Sequence, residues 1–342
     1  MLTPHVPCRS RSGAFLVAIP VLWLVCQGST EAQVDESLVT RRWTADNFWA
    51  ETYDKPIVTR RGHLEDTDES IQMVHWYSEG RIKVDQQDID PPAWIGYRAF
   101  TISIDSDVGP LDHTFADVAV ALAVKLGSIA EDWTVIASAG AGTANDGRWD
   151  NLDALFPVAT LEFTNKKDPS TVVHVGLTLD GNRALFPAIP LPYVMVDAIL
   201  DSNLKVTIGF PRDEIIARPV DPVIVAVQWQ FPCNASARIE VELGTGFSLF
   251  TEASRRVDGF HLRHEERTRL FFEMNTAEVG MRWRSSWMDV SLSAGYAFGQ
   301  RFFTGDDVRS RSSEASVENL PFIALTFPST FWAAPFSAGV FR

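Results

Sequence analysis

The sequence predicts an all-β protein: a transmembrane antiparallel up-and-down β-barrel of about 12 strands (about 10–14), preceded by an irregular N-terminal arm. Three observations predict it. Apolar residues alternate with polar or small ones at a period of two across most of residues 94–327. The connections between these runs alternate in length, short then long. No apolar run beyond residue 32 approaches the ~20 residues of a helical span, so a membrane crossing requires a closed barrel.

Residues 1–32 read as a secretory signal peptide. Arg9 and Arg11 supply the positive n-region and Gly13 to Cys26 the apolar h-region. Thr30 and Ala32 stand at the −3 and −1 positions of a cleavage after Ala32. A lipoprotein reading through Cys26 is weaker, because Trp23 occupies the position where a lipobox takes Leu. Cleavage leaves Cys233 alone of the three cysteines, which rules out an intramolecular disulfide and a Cys-based metal site.

Residues 33–92 are polar, acidic and irregular. Asp46 ahead of Asn47-Phe48-Trp49 is a helix-capping signal, and Met73 to Tyr77 fits a short strand. The charged, proline-paired run Asp85 to Pro92 marks a boundary. This segment is expected to be a periplasmic arm or partial plug, with the barrel occupying 93–342.

From Trp94 the texture becomes alternating strands. Phe100, Ile102 and Ile104 oppose Thr101, Ser103 and Asp105; Val118, Val120, Leu122 and Val124 oppose Asp117 and Lys125. Weaker runs follow at Trp133 to Gly142 and Ala154 to Thr164, then Val173, Val175 and Leu177 oppose His174 and Thr178. The clearest unit is Ile189 to Arg212. Val194, Val196, Ala198 and Leu200 share one face, Asp201-Ser202 makes the turn, and Val206 and Ile208 then oppose Lys205 and Thr207. Pro190, Pro192 and Pro211 sit at its outer ends, where a missing N–H costs a ladder little. Val223 to Gln230, Arg238 to Leu243, Thr268 to Arg284, Asp289 to Phe298 and Asn319 to Phe327 complete the count. The apolar sets are expected to face lipid, which puts Ser103 and Thr207 on the lumen side.

The short links are Ser128–Glu131, Asn165–Ser170, Asp201–Ser202, Pro232–Ser236 and Ser285–Ser286. The long ones run from about seven to about nineteen residues and include Arg212–Asp221, Thr251–Arg267 and Gln300–Glu318. Short turns on one side and long loops on the other mark an outer-membrane barrel, with the short turns periplasmic. Trp133, Trp149, Tyr193, Trp229, Trp283, Trp287 and Tyr296 lie near strand ends, as interfacial aromatic girdles do. The competing architecture is a secreted soluble β-sandwich binding protein.

Three short motifs carry a resemblance: Pro190-x-Pro192, Gly209-Phe210-Pro211-Arg212, and Ala294-Gly295-Tyr296 followed by Arg301-Phe302. Over residues 94–327 the text resembles an uncharacterised family of bacterial outer-membrane β-barrels, a domain of unknown function. The resemblance implies fold and location and brings no activity with it. The tail departs from the pattern: Pro328 and Pro335 interrupt it, and Arg342 follows the terminal aromatic Phe341.

Net charge is −14 and the isoelectric point about 4.9, which opposes a nucleic-acid partner because phosphate neutralisation needs clustered Lys and Arg. The same acidity disfavours peripheral binding to anionic lipid. A mean hydropathy of −0.02 excludes a polytopic helical membrane protein. The expected partners are outer-membrane lipid and, during biogenesis, the barrel-assembly machinery, with a small-molecule solute of undefined chemistry.

The polar strand faces give the candidate site. Asp117, Lys125, His174, Lys205, Arg238, Glu240, Glu242 and Asp289 are expected to face the lumen. Mixed charge in a narrow barrel points to internal ion pairs. His261-x-x-His264-Glu265-Glu266 lacks the HExxH or HxxEH order of zincins and reads as a solvated loop. Asp105 and Asp107, and Asp85, Asp88 and Asp90, fail the calcium-loop pattern. No G-x-S-x-G occurs, and Ala139 to Gly142 reads as small residues in a tight strand. No catalytic, cofactor-binding or metal-binding residue is therefore expected, and the protein is not expected to be an enzyme. The leading expectation is a passive channel or uptake barrel for small solutes; its rivals are a non-conducting structural barrel and a barrel hydrolase.

Overall fold

The computed structural model describes residues 50–331 except 66, 85–90, 110, 169, 188, 232, 263–267, 286 and 287. The signal-peptide reading, residues 33–49, the aspartates of 85–90, His264 to Glu266, Trp287 and the tail with Pro335 and Phe341 lie outside the described residues.

The described chain folds as one sheet of 18 strands. They are β1 (Ala50–Thr59), β2 (Gly62–His63), β3 (Ser70–Lys83), β4 (Ala93–Ser106), β5 (Thr114–Ala130) and β6 (Trp133–Asn145). Next come β7 (Leu155–Asp168), β8 (Thr171–Asp180), β9 (Leu191–Asp201), β10 (Leu204–Phe210), β11 (Arg212–Val220) and β12 (Val223–Gln230). The last are β13 (Asn234–Gly244), β14 (Phe247–His261), β15 (Arg269–Arg284), β16 (Asp289–Gly305), β17 (Glu314–Val317) and β18 (Leu320–Phe331). The short β2 and β17 flank β3 and β16. The other sixteen are staves, each antiparallel to its neighbours, and β18 pairs with β1 (Val58 opposite Ile323) to close the wall.

The barrel thus has sixteen staves, not about twelve. The four additional staves are β1, β3, β11 and β14. In each, inward charges replace the polar–small alternation that marks a strand: Lys55 in β1, Arg81 in β3, Glu214 in β11, and Glu252 with Asp258 in β14. Residues 50–83 are therefore wall, where the sequence suggested an arm or plug.

Both described chain ends lie at the end that carries the two-residue turns 131–132, 202–203, 221–222 and 245–246. The opposite end is where β1, β4, β6, β8, β14 and β16 finish, each followed by a longer link to the next stave. The β12–β13 turn falls at this long-loop end, opposite to its expected side, because the intervening β11 reverses the chain once more.

The outer face is an apolar belt. Val120, Leu122, Leu177, Val194, Ile208, Leu249, Val279, Leu292 and Ile323 all present exposed side chains outward, with Trp76, Trp229 and Tyr296 among them. Exposing such a belt to water would forfeit about 25 cal/mol per Å² of apolar area, so lipid is its natural solvent. On β4 the assignment is the reverse of that expected. Phe100, Ile102 and Ile104 are buried inside, whereas Ser103 and Asp105 face out.

That reversal reflects an apolar core inside the long-loop half. Ile71, Met73, Ile102, Phe115, Phe260 and Phe272 are part of one buried cluster. It exists because β14 runs past the upper end of β13 and, still paired with β15, turns in across the mouth to meet β6. His261 bridges Asn145 of β6, and the Phe260 and Phe115 rings pack 5.4 Å apart. The outer faces of β14–β16 are consequently covered as well. Val257, Phe271 and Phe303 lie under Ala184, Leu185 and Val308 of the long loops. On the other flank, Ala119, Ala121 and Gly142 leave room for Trp94 and Phe156. A Cβ on Gly142 would stand 2.2 Å from the Phe156 ring.

Candidate functional site in the barrel lumen

Polar side chains that project inward from sixteen staves and are buried there must be paired, because an isolated buried charge is costly. Three paired groups result. At the long-loop end, Arg98 Nη1 lies 3.0 Å from Asp180 and its Nη2 3.6 Å from Asp117. Asn182 Nδ2 donates to Asp117 and to the Gly259 carbonyl, each at 3.0 Å. Asp258, on β14, is held by Arg256 at 2.6 and 2.9 Å.

The second group spans β7–β10. His174 Nδ1 lies 2.7 Å from Glu162, and its Nε2 lies 3.5 Å from Asp197. The Tyr193 hydroxyl donates to Glu162 at 2.7 Å and the Thr207 hydroxyl to Asp197 at 2.6 Å. An imidazole between two carboxylates, with each carboxylate also accepting a hydroxyl, is a mutually paired structural cluster.

The third group spans β1 and β13–β16. Lys55 Nζ lies 2.5 Å from Glu278 and 3.3 Å from Glu252. Arg238 reaches Glu240 at 2.9 Å and Glu252 at 3.3 Å. Arg282 reaches Asp289 at 2.5 Å and Glu240 at 3.4 Å. Ser248 donates to Glu240 at 2.6 Å and Ser293 to Glu278 at 2.8 Å.

The eight sequence candidates fall as follows. Asp117 belongs to the first group, His174 to the second, and Arg238, Glu240 and Asp289 to the third. Glu242 pairs separately with Arg218 at 2.9 Å. Lys205 shares the face of buried Thr207 and is half-buried; Lys125, also half-buried, stands opposite Ile136 near the short-turn end. Lys55, Arg98, Glu162, Asp180, Asp197, Glu252, Arg256, Asp258, Glu278 and Arg282 also belong to these groups and are not among the eight. Glu162 was findable, since it alternates with Leu161 and Phe163 in a run already read as a strand.

Beneath the apolar core lies a cavity of about 240 Å³. Ile57, Phe100 and Met274 close it on the core side, Tyr53 and Tyr77 line the β1–β3 wall, and Gln228, Ser236 and Ser254 line the facing β12–β14 wall. His75 reaches it from β3.

No protein-family model matches the chain. No curated protein matches it either. Among solved structures, OccAB3 of Acinetobacter baumannii aligns at 8% identity and TM-score 0.33, over 81% of this chain and 98% of that one. A deletion mutant of the monoaromatic hydrocarbon channel TodX aligns at 9% identity and TM-score 0.33, over 82% and 90%. The siderophore receptor PirA from Pseudomonas aeruginosa aligns at 10% identity and TM-score 0.24, over 82% and 80%. Alignments this loose decide nothing about the role of the chain.

Proposed function

We propose that the protein resides in the outer membrane of a diderm bacterium, reached through a cleaved signal peptide, and is a non-conducting barrel in the conformation described. The short turns then face the periplasm and the long loops the exterior. One observation carries the reading: β14 crosses the mouth and meets β5 and β6, with an apolar core behind the contact. A permanently open passive channel needs a continuous polar path, and paired lumen charges argue in the same direction. The role is non-enzymatic, the partners being surrounding lipid and the assembly machinery; the resemblance to the uncharacterised barrel family belongs with this reading. The cavity under the closure favours a second reading, an uptake barrel in which the β14–β15 corner moves to admit a small solute.

Planar-bilayer recording of the refolded chain tests the closure. The expected trace is flat, and steady stepwise conductance in the unmodified protein would overturn it. Fractionation tests the location, and recovery in the soluble periplasm would overturn that.

A further inference from the structure

The cavity beneath the core has walls of different chemistry. On one side the Tyr53 and Tyr77 rings meet edge-on with centroids 5.9 Å apart, giving a ledge of aromatic surface. The opposite wall offers the uncharged polar groups of Gln228, Ser236 and Ser254. Above the ledge the Arg256 guanidinium lies 4.1 Å over the Tyr77 ring and 4.2 Å over Phe100.

Three cations of the lining are already answered by carboxylates. Lys55 is bound to Glu278 and Glu252, Arg255 to Glu273 at 2.7 Å, and Arg256 to Asp258 at 2.6 Å. At these three cations an ionic ligand would have to displace one member of a pair. A neutral ligand displaces none.

His75 is a buried neutral group of the lining whose side chain has no hydrogen bond at all among the described residues. It is only 1% exposed, stacked between Phe272 at 5.3 Å and Phe100 at 6.4 Å, and both of its ring nitrogens lack a hydrogen-bond partner among the described residues. Buried polar atoms are normally satisfied, so an imidazole with one donor and one acceptor left over, at the edge of a cavity, calls for an occupant that does both. A hydroxyl does both.

We propose that this cavity binds a neutral polyhydroxylated molecule no larger than a monosaccharide, its carbon face on Tyr53 and Tyr77 and its hydroxyls toward His75, Gln228, Ser236 and Ser254. The volume of about 240 Å³ falls below the ~300–1,000 Å³ of sites for drug-sized ligands, which sets the size limit. Each amide, hydroxyl and imidazole there can donate and accept, as each sugar hydroxyl can. This inference is independent of whether the barrel conducts.

The test is isothermal titration of the refolded chain in lauryldimethylamine oxide, a detergent without a sugar headgroup. The probes are D-glucose, sorbitol, sodium acetate and sodium benzoate. Saturable binding of glucose or sorbitol is expected, at least ten-fold tighter than either anion. Gln228→Ala and His75→Leu should each weaken it ten-fold or more while the heat-modifiable gel shift of a folded barrel persists. Gln228→Ala alters only the cavity wall, so it decides the matter if His75→Leu fails to fold. Absence of saturable heat with both polyols would overturn the proposal, as would unchanged affinity in Gln228→Ala. Arg212 also lines the cavity, and preferential binding of acetate or benzoate would make it an anion site and equally overturn the proposal. A protein that binds glucose yet conducts steadily would refute the closure and leave this site standing.

Discussion

Arg269 holds both oxygens of Asn182: one guanidinium nitrogen donates to the backbone carbonyl and to the side-chain carbonyl, each at 2.7 Å, across 87 residues of sequence. Because the Asn182 amide nitrogen also donates to Asp117 and to Gly259, one loop residue ties β5, β14 and β15 together at the mouth. Asn182→Ala strips partners from a buried guanidinium and a buried carboxylate, a loss of roughly 2–4 kcal/mol at the closure. The sixteen-stave ladder does not depend on it. Current steps in planar bilayers are therefore expected from Asn182→Ala and not from the unmodified protein. A silent Asn182→Ala barrel would show that the apolar core alone seals the mouth.

Lys55 and Glu278 give the second prediction. The Glu278 side chain is 1% exposed and meets Lys55 at 2.5 Å. Glu278→Gln should lower stability by about 3–5 kcal/mol, because Lys55 keeps its charge and retains Glu252 alone. Lys55→Met combined with Glu278→Gln should recover part of that loss. The temperature at which the heat-modifiable band disappears reads both effects. Additive behaviour in the double variant would mean that the pair is not coupled.

A third prediction separates the two faces of the wall. Leu122 points outward at 48% exposure, so Leu122→Lys should cost about 2–4 kcal/mol in lipid if it sits near the midplane. Ile102→Glu should block refolding, because it inserts a charge into the core around Phe115 and Phe260. Ser103→Glu should be tolerated, since Ser103 faces out near the long-loop end. Refolding yield in lipid vesicles ranks the three. Equal yields for Ile102→Glu and Ser103→Glu would contradict the strand orientation.

Sidedness supplies the fourth. Cys233 is buried and removable by Cys233→Ala. In that background Arg309→Cys, at a side chain 52% exposed in the long loop after β16, should label with a membrane-impermeant maleimide on intact cells. Asn203→Cys, in the β9–β10 turn, should label only after the outer membrane is opened. The opposite pattern would invert the topology.

The staves legible in the sequence were those with an apolar outer face and a small or singly charged inner one. In β13, Arg238, Glu240 and Glu242 alternate with Ala237, Ile239 and Val241, so both strand and lumen face could be read. β14 hid itself. Its middle, Glu252 to Asp258, carries charge on both faces and looks like a solvated loop until Glu252 finds Lys55 and Asp258 finds Arg256. In β1, Lys55 and Pro56 broke the alternation in the same way. Because the missed staves were even in number overall, the short turns still fell on one side, except between β11 and β14 where one reversal had been lost. The closure was not legible at all. Asn182 is a loop residue whose partners lie 65 to 87 positions away, and local spacing carries no trace of such a contact.

The staves differ greatly in length, and the bilayer must respond to that. β5 and β16 have 17 residues each, whereas β10 has 7 and β12 has 8. At ~3.3 Å per residue and a tilt of ~40°, 7 residues rise roughly 18 Å, short of the ~25 Å apolar band of such barrels. The flank made by β10–β12, of 7, 9 and 8 residues, is thus a notch in the rim. Hydrophobic mismatch there is relieved by thinning of the adjacent leaflet or by a lean of the whole cylinder toward its low side, at a fraction of a kcal/mol per Å. Either response makes the surrounding lipid anisotropic, and the protein carries a preferred bearing in the plane of the membrane although its wall is a closed ring.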